Sequence, residues 1–101
     1  MSEIQIATND EVKEKINDEN AVIIDVRMSS EYDMGHVPNS ILIPLEELEN
    51  RIDEVDKSKE VYVICRTGNR SGYAVEYMMS QGFEKIYNVL PGMIGWTGPT
   101  E

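Results

Sequence analysis

Two short runs constrain the fold more than anything else in the chain. Val22-Ile23-Ile24 and Val61-Tyr62-Val63-Ile64 are continuously apolar and mostly β-branched. A strand with one wet face alternates apolar and polar residues. A run without alternation needs cover on both faces, the setting of a parallel sheet between layers of helix. Strands are therefore expected at Ala21–Val26 and Val61–Cys65, with shorter ones at Ile4–Ala7, Ser40–Ile43 and Ile86–Val89. Helical signals fill the gaps. Thr8-Asn9-Asp10-Glu11 is a capping box, with Val12 and Ile16 on one stripe behind it. Leu45, Leu48, Ile52 and Val55 recur at helical spacing after Pro44. Beyond Ser71, Ala74, Val75, Met78 and Met79 form a further stripe. Gly82 is placed to end that helix in a left-handed conformation, with Phe83 folding back over the last turn. Strands alternating with helices predict an α/β fold: one domain over residues 1–101, with a mostly parallel central sheet of about five strands flanked by helices. In such sheets function gathers where strands end and helices begin.

Composition narrows the function classes. No run of about 18 apolar residues is present, so no membrane-spanning helix is expected. The start, Met1-Ser2-Glu3-Ile4-Gln5, has neither the basic opening nor the apolar stretch of a secretory signal. A single cysteine, Cys65, leaves no internal disulfide to form and fits a reducing compartment, with the cytoplasm the expectation. The net charge of −10 is unevenly spread: residues 1–65 hold six Lys/Arg against sixteen Asp/Glu, and residues 66–101 three against three. Nucleic-acid binding draws on clustered cations, which this surface lacks. Solubility accounts for the acidic excess, with attraction of a basic protein partner as the functional alternative. One Cys, one His and scattered carboxylates show no metal-ligand spacing. Gly92-Met93-Ile94-Gly95 follows no phosphate-binding pattern, and no cofactor is expected.

The chemistry lies at the end of the fourth strand. An apolar run delivers Cys65 to the carboxyl edge of the sheet, and Arg66, Thr67, Gly68, Asn69 and Arg70 follow before a helix begins near Ser71. Gly and Asn tolerate left-handed backbone angles, so the loop can curl with its amides inward. The first helical turn adds unpaired N–H groups and the positive end of its dipole. The expected product is a cup of amides with the sulfur at its centre, suited to an anion. A free thiol with a pKa of about 8.5 is only ~3% thiolate at pH 7. Making the thiolate the majority form takes ~2.7 kcal/mol. Hydrogen bonds to a charged group contribute ~1.5–3 kcal/mol each, so one or two inward amides suffice and no general base is required. Arg66 and Arg70 are then available to draw in an anionic donor such as thiosulfate. A lone cysteine after an apolar run is usually plain core. Here two of the chain's four arginines follow it within five positions, beside glycine, which argues for chemistry.

Asp25-Val26-Arg27, Glu31-Tyr32, Gly35-His36-Val37-Pro38-Asn39-Ser40, Ile43-Pro44 and the Cys65 loop, in that order and with Gly92 and Trp96 beyond them, resemble a rhodanese homology domain across nearly the whole chain. The resemblance implies a thiosulfate- or persulfide-dependent sulfurtransferase. Its cysteine takes the outer sulfur of a donor, holds it as a persulfide and passes it to a thiol or cyanide, in a ping-pong scheme. It implies Cys65 as nucleophile, the amides of Arg66, Thr67, Gly68, Asn69, Arg70 and Ser71 as the persulfide cradle, and Arg66 and Arg70 as donor-binding cations. Asp25 and Arg27 sit at a strand end, placed to pair with neighbours or to bind substrate, the first being favoured. His36, the one histidine, is expected to be a structural anchor, and Trp96 to pack at the core or rim. Pro91 stands before Gly92 where the family commonly has two glycines, which leaves the rim and the acceptor open.

Two rival readings remain. Cysteine phosphatases also use a thiolate in an amide-lined loop, but with five residues between cysteine and arginine. Here there are four between Cys65 and Arg70, a cup sized for one sulfur atom rather than a phosphate. The other rival is an interaction module that keeps the fold without the chemistry; loss of the cysteine would mark it, and Cys65 is present. A persulfide carrier in a sulfur relay lies between enzyme and module and differs from the enzyme in its donor and acceptor.

Overall fold

The computed structural model describes residues 3–101. Five strands, β1 (Gln5–Thr8), β2 (Ala21–Asp25), β3 (Ile41–Leu42), β4 (Glu60–Ile64) and β5 (Ile86–Leu90), form one sheet in the order β1-β5-β4-β2-β3. Every pairing is parallel. Four α-helices lie between and around them: α1 (Asn9–Lys13), α2 (Ser29–Asp33), α3 (Leu48–Arg51) and α4 (Asn69–Ser80).

The two apolar runs are the central pair, β2 and β4, and each splits its side chains between two cores. Ile24, Val61 and Val63 join one cluster with Leu48 of α3 and with Ala74, Val75 and Met78 of α4. Ile23, Tyr62 and Ile64 join the other with Val12 of α1, Val37 and Val89. Burying one such side chain contributes about 1.5–3 kcal/mol, so a bare face on either side would forfeit several of these at once. That is why the sheet needs cover on both sides.

The helix ends follow local chemistry. Thr8 and Glu11 exchange hydrogen bonds as expected, Glu11 N–H to Thr8 Oγ1 at 3.2 Å and Thr8 N–H to Glu11 Oε1 at 3.3 Å. At the end of α4, Gly82 takes φ +95°. Phe83 N–H then reaches back to the Met78 carbonyl and Gly82 N–H to that of Met79, the paired bonds of a left-handed helix stop.

Two expectations needed correction in detail, and one helix, α2, was not among those expected. The strand expected over Ser40–Ile43 is only Ile41–Leu42, an edge strand against the end of β2. The segment from Leu45 to Val55 is not one helix but a 3₁₀ turn (Leu45–Glu47), α3 and a second 3₁₀ turn (Ile52–Glu54). Its apolar pairs Leu45/Leu48 and Ile52/Val55 are three apart, the spacing at which a 3₁₀ turn brings side chains into line. α2 had no sequence signal, because it is one turn long and buries none of its residues.

This topology places the site. β2 leads outward to β3 while β4 leads the other way to β5, so at the carboxyl ends of these neighbouring strands the chain departs in opposite directions. A crevice opens at such a switch point. Asp25 pairs in register with Ile64, which brings Asp25-Val26-Arg27 alongside Cys65.

Candidate active site

Cys65 directly follows β4, and only 1% of it is exposed. Its sulfur accepts hydrogen bonds from Gly68 N–H at 3.1 Å and Ser71 N–H at 3.3 Å, and lies 3.2 Å from Ser71 Oγ. Burial of the thiol raises its pKa. The Ser71 hydroxyl and the amides of Ser71, Thr67 and Gly68 lower it and prevail, so the thiol is held below its ordinary value. Of the six loop amides expected to form the cradle, those of Gly68 and Ser71 thus make the hydrogen bonds to sulfur, at the start of α4.

Two glycines allow the loop its shape. Gly68 has φ +93°, and a Cβ there would collide with Leu90 Cδ2. Gly92 has φ +96°, and a Cβ would lie 2.6 Å from the Cys65 carbonyl oxygen and 2.8 Å from that of Arg66. This close approach lets the 3₁₀ turn Met93–Gly95 grip the loop: Met93 N–H donates to the Cys65 carbonyl at 2.9 Å and Ile94 N–H to that of Arg66 at 3.0 Å. Asn9, buried at the start of α1, holds Gly92 from behind through Nδ2 to its carbonyl and Oδ1 to its N–H.

The arginines are arranged unequally. Arg27 is buried against Asp25, with Nε 3.0 Å from both carboxylate oxygens and Nη2 2.8 Å from Oδ2. Its Nη2 also donates to the Gly35 carbonyl at 2.9 Å. Arg70 makes a two-pronged ion pair with Glu31 of α2, at 2.7 and 2.9 Å. The Arg70 guanidinium in turn holds the Glu31 carboxyl down at about 2. Arg66 is exposed and, among the described residues, forms no salt bridge. Thr67 and Asn69 are exposed too.

A cleft of about 380 Å³ opens beside the loop, lined by Arg27, Glu31, Arg66, Met34, Met93, Ile94 and Trp96 among others. Met34 is 91% exposed and Ile94 62%, so its rim is apolar around a polar floor. Trp96 is half-buried, its Nε1 donating to the Pro99 carbonyl at 2.9 Å. His36 lies off the sulfur's contacts: Nδ1 is 2.8 Å from the Tyr32 carbonyl and the ring stacks on Tyr32 at 3.6 Å. A larger cleft of about 630 Å³ lies around Lys15–Ala21 and Lys59, at the opposite end of the strands, and no cysteine lines it.

Sequence reasoning gave no role to Glu31, Asn9 or Asn88. Asn88 is buried on β5, with Oδ1 bonded to the Ser71 hydroxyl and Nδ2 3.2 Å from the Gly68 carbonyl. A polar residue inside the apolar run Ile86–Val89 was the available signal for Asn88. Glu31 and Asn9 stood in motifs quoted for other reasons, and nothing near them pointed to their partners, which lie 39 and 83 positions away.

The family model for the rhodanese-like domain matches residues 8–98, and the chain belongs to that family. It is 47% identical over 90 residues to "Putative sulfur carrier protein YrkF" of Bacillus subtilis, covering 88% of this chain and 49% of that protein. It is 37% identical over 100 residues to "Putative sulfurtransferase YtwF" of the same organism, covering 98% and 96%. A rhodanese-like domain protein of Staphylococcus aureus superposes with a TM-score of 0.88 at 33% identity, over 97% of both chains. The chain thus spans about half the length of the first relative and nearly all of the second.

Proposed function

We propose that the protein is a sulfurtransferase that carries sulfane sulfur as a persulfide on Cys65. The observation that supports this most directly is the pair of amides, Gly68 and Ser71, aimed at one buried sulfur at the positive end of α4. The Cys65 thiolate attacks the outer sulfur of a donor. A new S–S bond forms, the donor's S–S bond breaks, and its electron pair leaves with sulfite from thiosulfate or with a thiolate from a persulfide. An acceptor thiolate or cyanide then attacks the outer sulfur, and Cys65 leaves as the thiolate it began as. The amides stabilise negative charge on entering and leaving sulfur alike.

The donor class follows from charge and rim. Arg27 is neutralised by Asp25 and Arg70 by Glu31, which leaves Arg66 as the cation of the cleft not engaged in a salt bridge among the described residues. A divalent ion such as thiosulfate gains little from one exposed cation. The apolar rim of Met34, Ile94 and Trp96 suits a polypeptide that presents a cysteine persulfide. A protein persulfide is therefore the favoured donor and thiosulfate the weaker one, consistent with the sulfur-carrier name of one relative.

Intact mass under non-reducing conditions tests both parts. Incubation with a persulfide donor adds the mass of one sulfur atom, cyanide removes it, and Cys65→Ser never acquires it. Thiosulfate adds it more slowly. No gain from either donor refutes the function, and faster loading from thiosulfate refutes the donor preference.

A further inference from the structure

The Ser71 hydroxyl has two claims on a single proton. Its oxygen lies 3.2 Å from Cys65 Sγ and also hydrogen-bonds Asn88 Oδ1. The Asn88 amide is not free to turn: Nδ2 donates to the Gly68 carbonyl at 3.2 Å, and the flipped amide would set oxygen against oxygen. Oδ1 therefore faces Ser71, and an amide oxygen can only accept.

We propose that Asn88 is a positioning residue that holds the Ser71 hydroxyl proton while Sγ is uncharged and yields it to the Cys65 thiolate, making this hydroxyl a two-position switch keyed to the state of the sulfur. With the thiol protonated, S–H donates to Ser71 and Ser71 O–H donates to Asn88, so every group is satisfied. Loss of the thiol proton reverses the hydroxyl: it turns to the sulfur, and buried Asn88 Oδ1 loses its donor. That cost falls on the thiolate alone. Asn88 therefore opposes the amides of Gly68 and Ser71 and keeps Cys65 from ionising as fully as they would allow. In a persulfide the charge sits on the outer sulfur, Sγ carries neither proton nor charge, and the hydroxyl returns to Asn88. Asn88 then favours the loaded cysteine over the bare thiolate. This last consequence rests on the proposed persulfide chemistry, whereas the protonation does not.

The charged groups around the sulfur are Arg66 in the loop, Arg70 on α4 with Glu31 of α2, and the Asp25–Arg27 pair at the end of β2; β5 and the Met93–Gly95 turn carry none. The Asn88 side chain hydrogen-bonds to none of them, so replacing it leaves them in place.

Asn88→Val removes the acceptor at similar volume and suits a strand. Cys65 is the only cysteine, so its alkylation rate by iodoacetamide against pH, followed by intact mass, reads its pKa alone. The midpoint is expected to fall by about one pH unit, a tenfold gain in thiolate at lower pH. Asn88→Ala is expected to do the same, and in a Ser71→Ala background Asn88→Val is expected to add nothing. A purely structural Asn88 predicts the reverse, since a loosened cradle weakens both amides and raises the midpoint. A midpoint that rises or stays put, in whichever variant keeps the native circular dichroism, overturns the proposal. So does a fall that persists without the Ser71 hydroxyl. Neither result touches the mass-gain test of the function.

Discussion

Replacing Glu31 by glutamine isolates one ion pair and reads it in two ways. Its carboxyl is held at about 2 against an ordinary value near 4.5, chiefly by its hydrogen bonds to Arg70. Unscreened, that difference would be worth ~3.4 kcal/mol. Both side chains are about one-third exposed, 31% for Glu31 and 34% for Arg70, so solvent and salt reduce it to ~1–1.5 kcal/mol. A depressed carboxylate stabilises fully above its unfolded pKa, and the contribution disappears as pH falls through the folded one. Urea denaturation should therefore place Glu31→Gln ~1–1.5 kcal/mol below the parent at pH 7, with more than half of that gap gone at pH 3. The same variant frees Arg70, adding one positive charge beside the cleft. Against a divalent ion at about 5 Å in water this amounts to ~1.7 kcal/mol, halved by salt to about a fourfold fall in KM for thiosulfate. A gap of the same size at pH 3 and pH 7, or no gap at all, refutes the stability argument. An unchanged or higher KM refutes the argument that Glu31, by neutralising Arg70, weakens the attraction of an anionic donor.

Two further outcomes follow from the packing around the loop. Asp25→Ala leaves the buried Arg27 guanidinium without its carboxylate and should cost about 3–5 kcal/mol in denaturant unfolding; a loss under about 1 kcal/mol would mean that Arg27 finds water or another partner. Gly92→Ala forces a methyl group against two backbone carbonyls that no rotamer change can move. It should cost more than about 2 kcal/mol and slow sulfur loading, and an unchanged unfolding midpoint would show that the turn can shift bodily.

What the sequence determined by itself is what contiguous residues control. The unalternating runs at Val22–Ile24 and Val61–Ile64 demanded a sheet covered on both faces. Thr8 and Glu11 set the start of α1, and Gly82 the stop of α4. The sulfur's cup was legible for the same reason, because Cys65, Gly68 and Ser71 lie within seven residues and a left-handed Gly68 curls them together. Tertiary structure decided which partner each side chain meets. Arg70 looked free to take a donor, yet it meets Glu31 from 39 positions away. Ser71 meets Asn88 across 17, and Gly92 is held by Asn9 across 83. Backbone propensity and apolar period are properties of one segment and can be read along the chain. A hydrogen bond or ion pair between distant residues depends on which segments the sheet order β1-β5-β4-β2-β3 brings side by side, and only the folded chain supplies that.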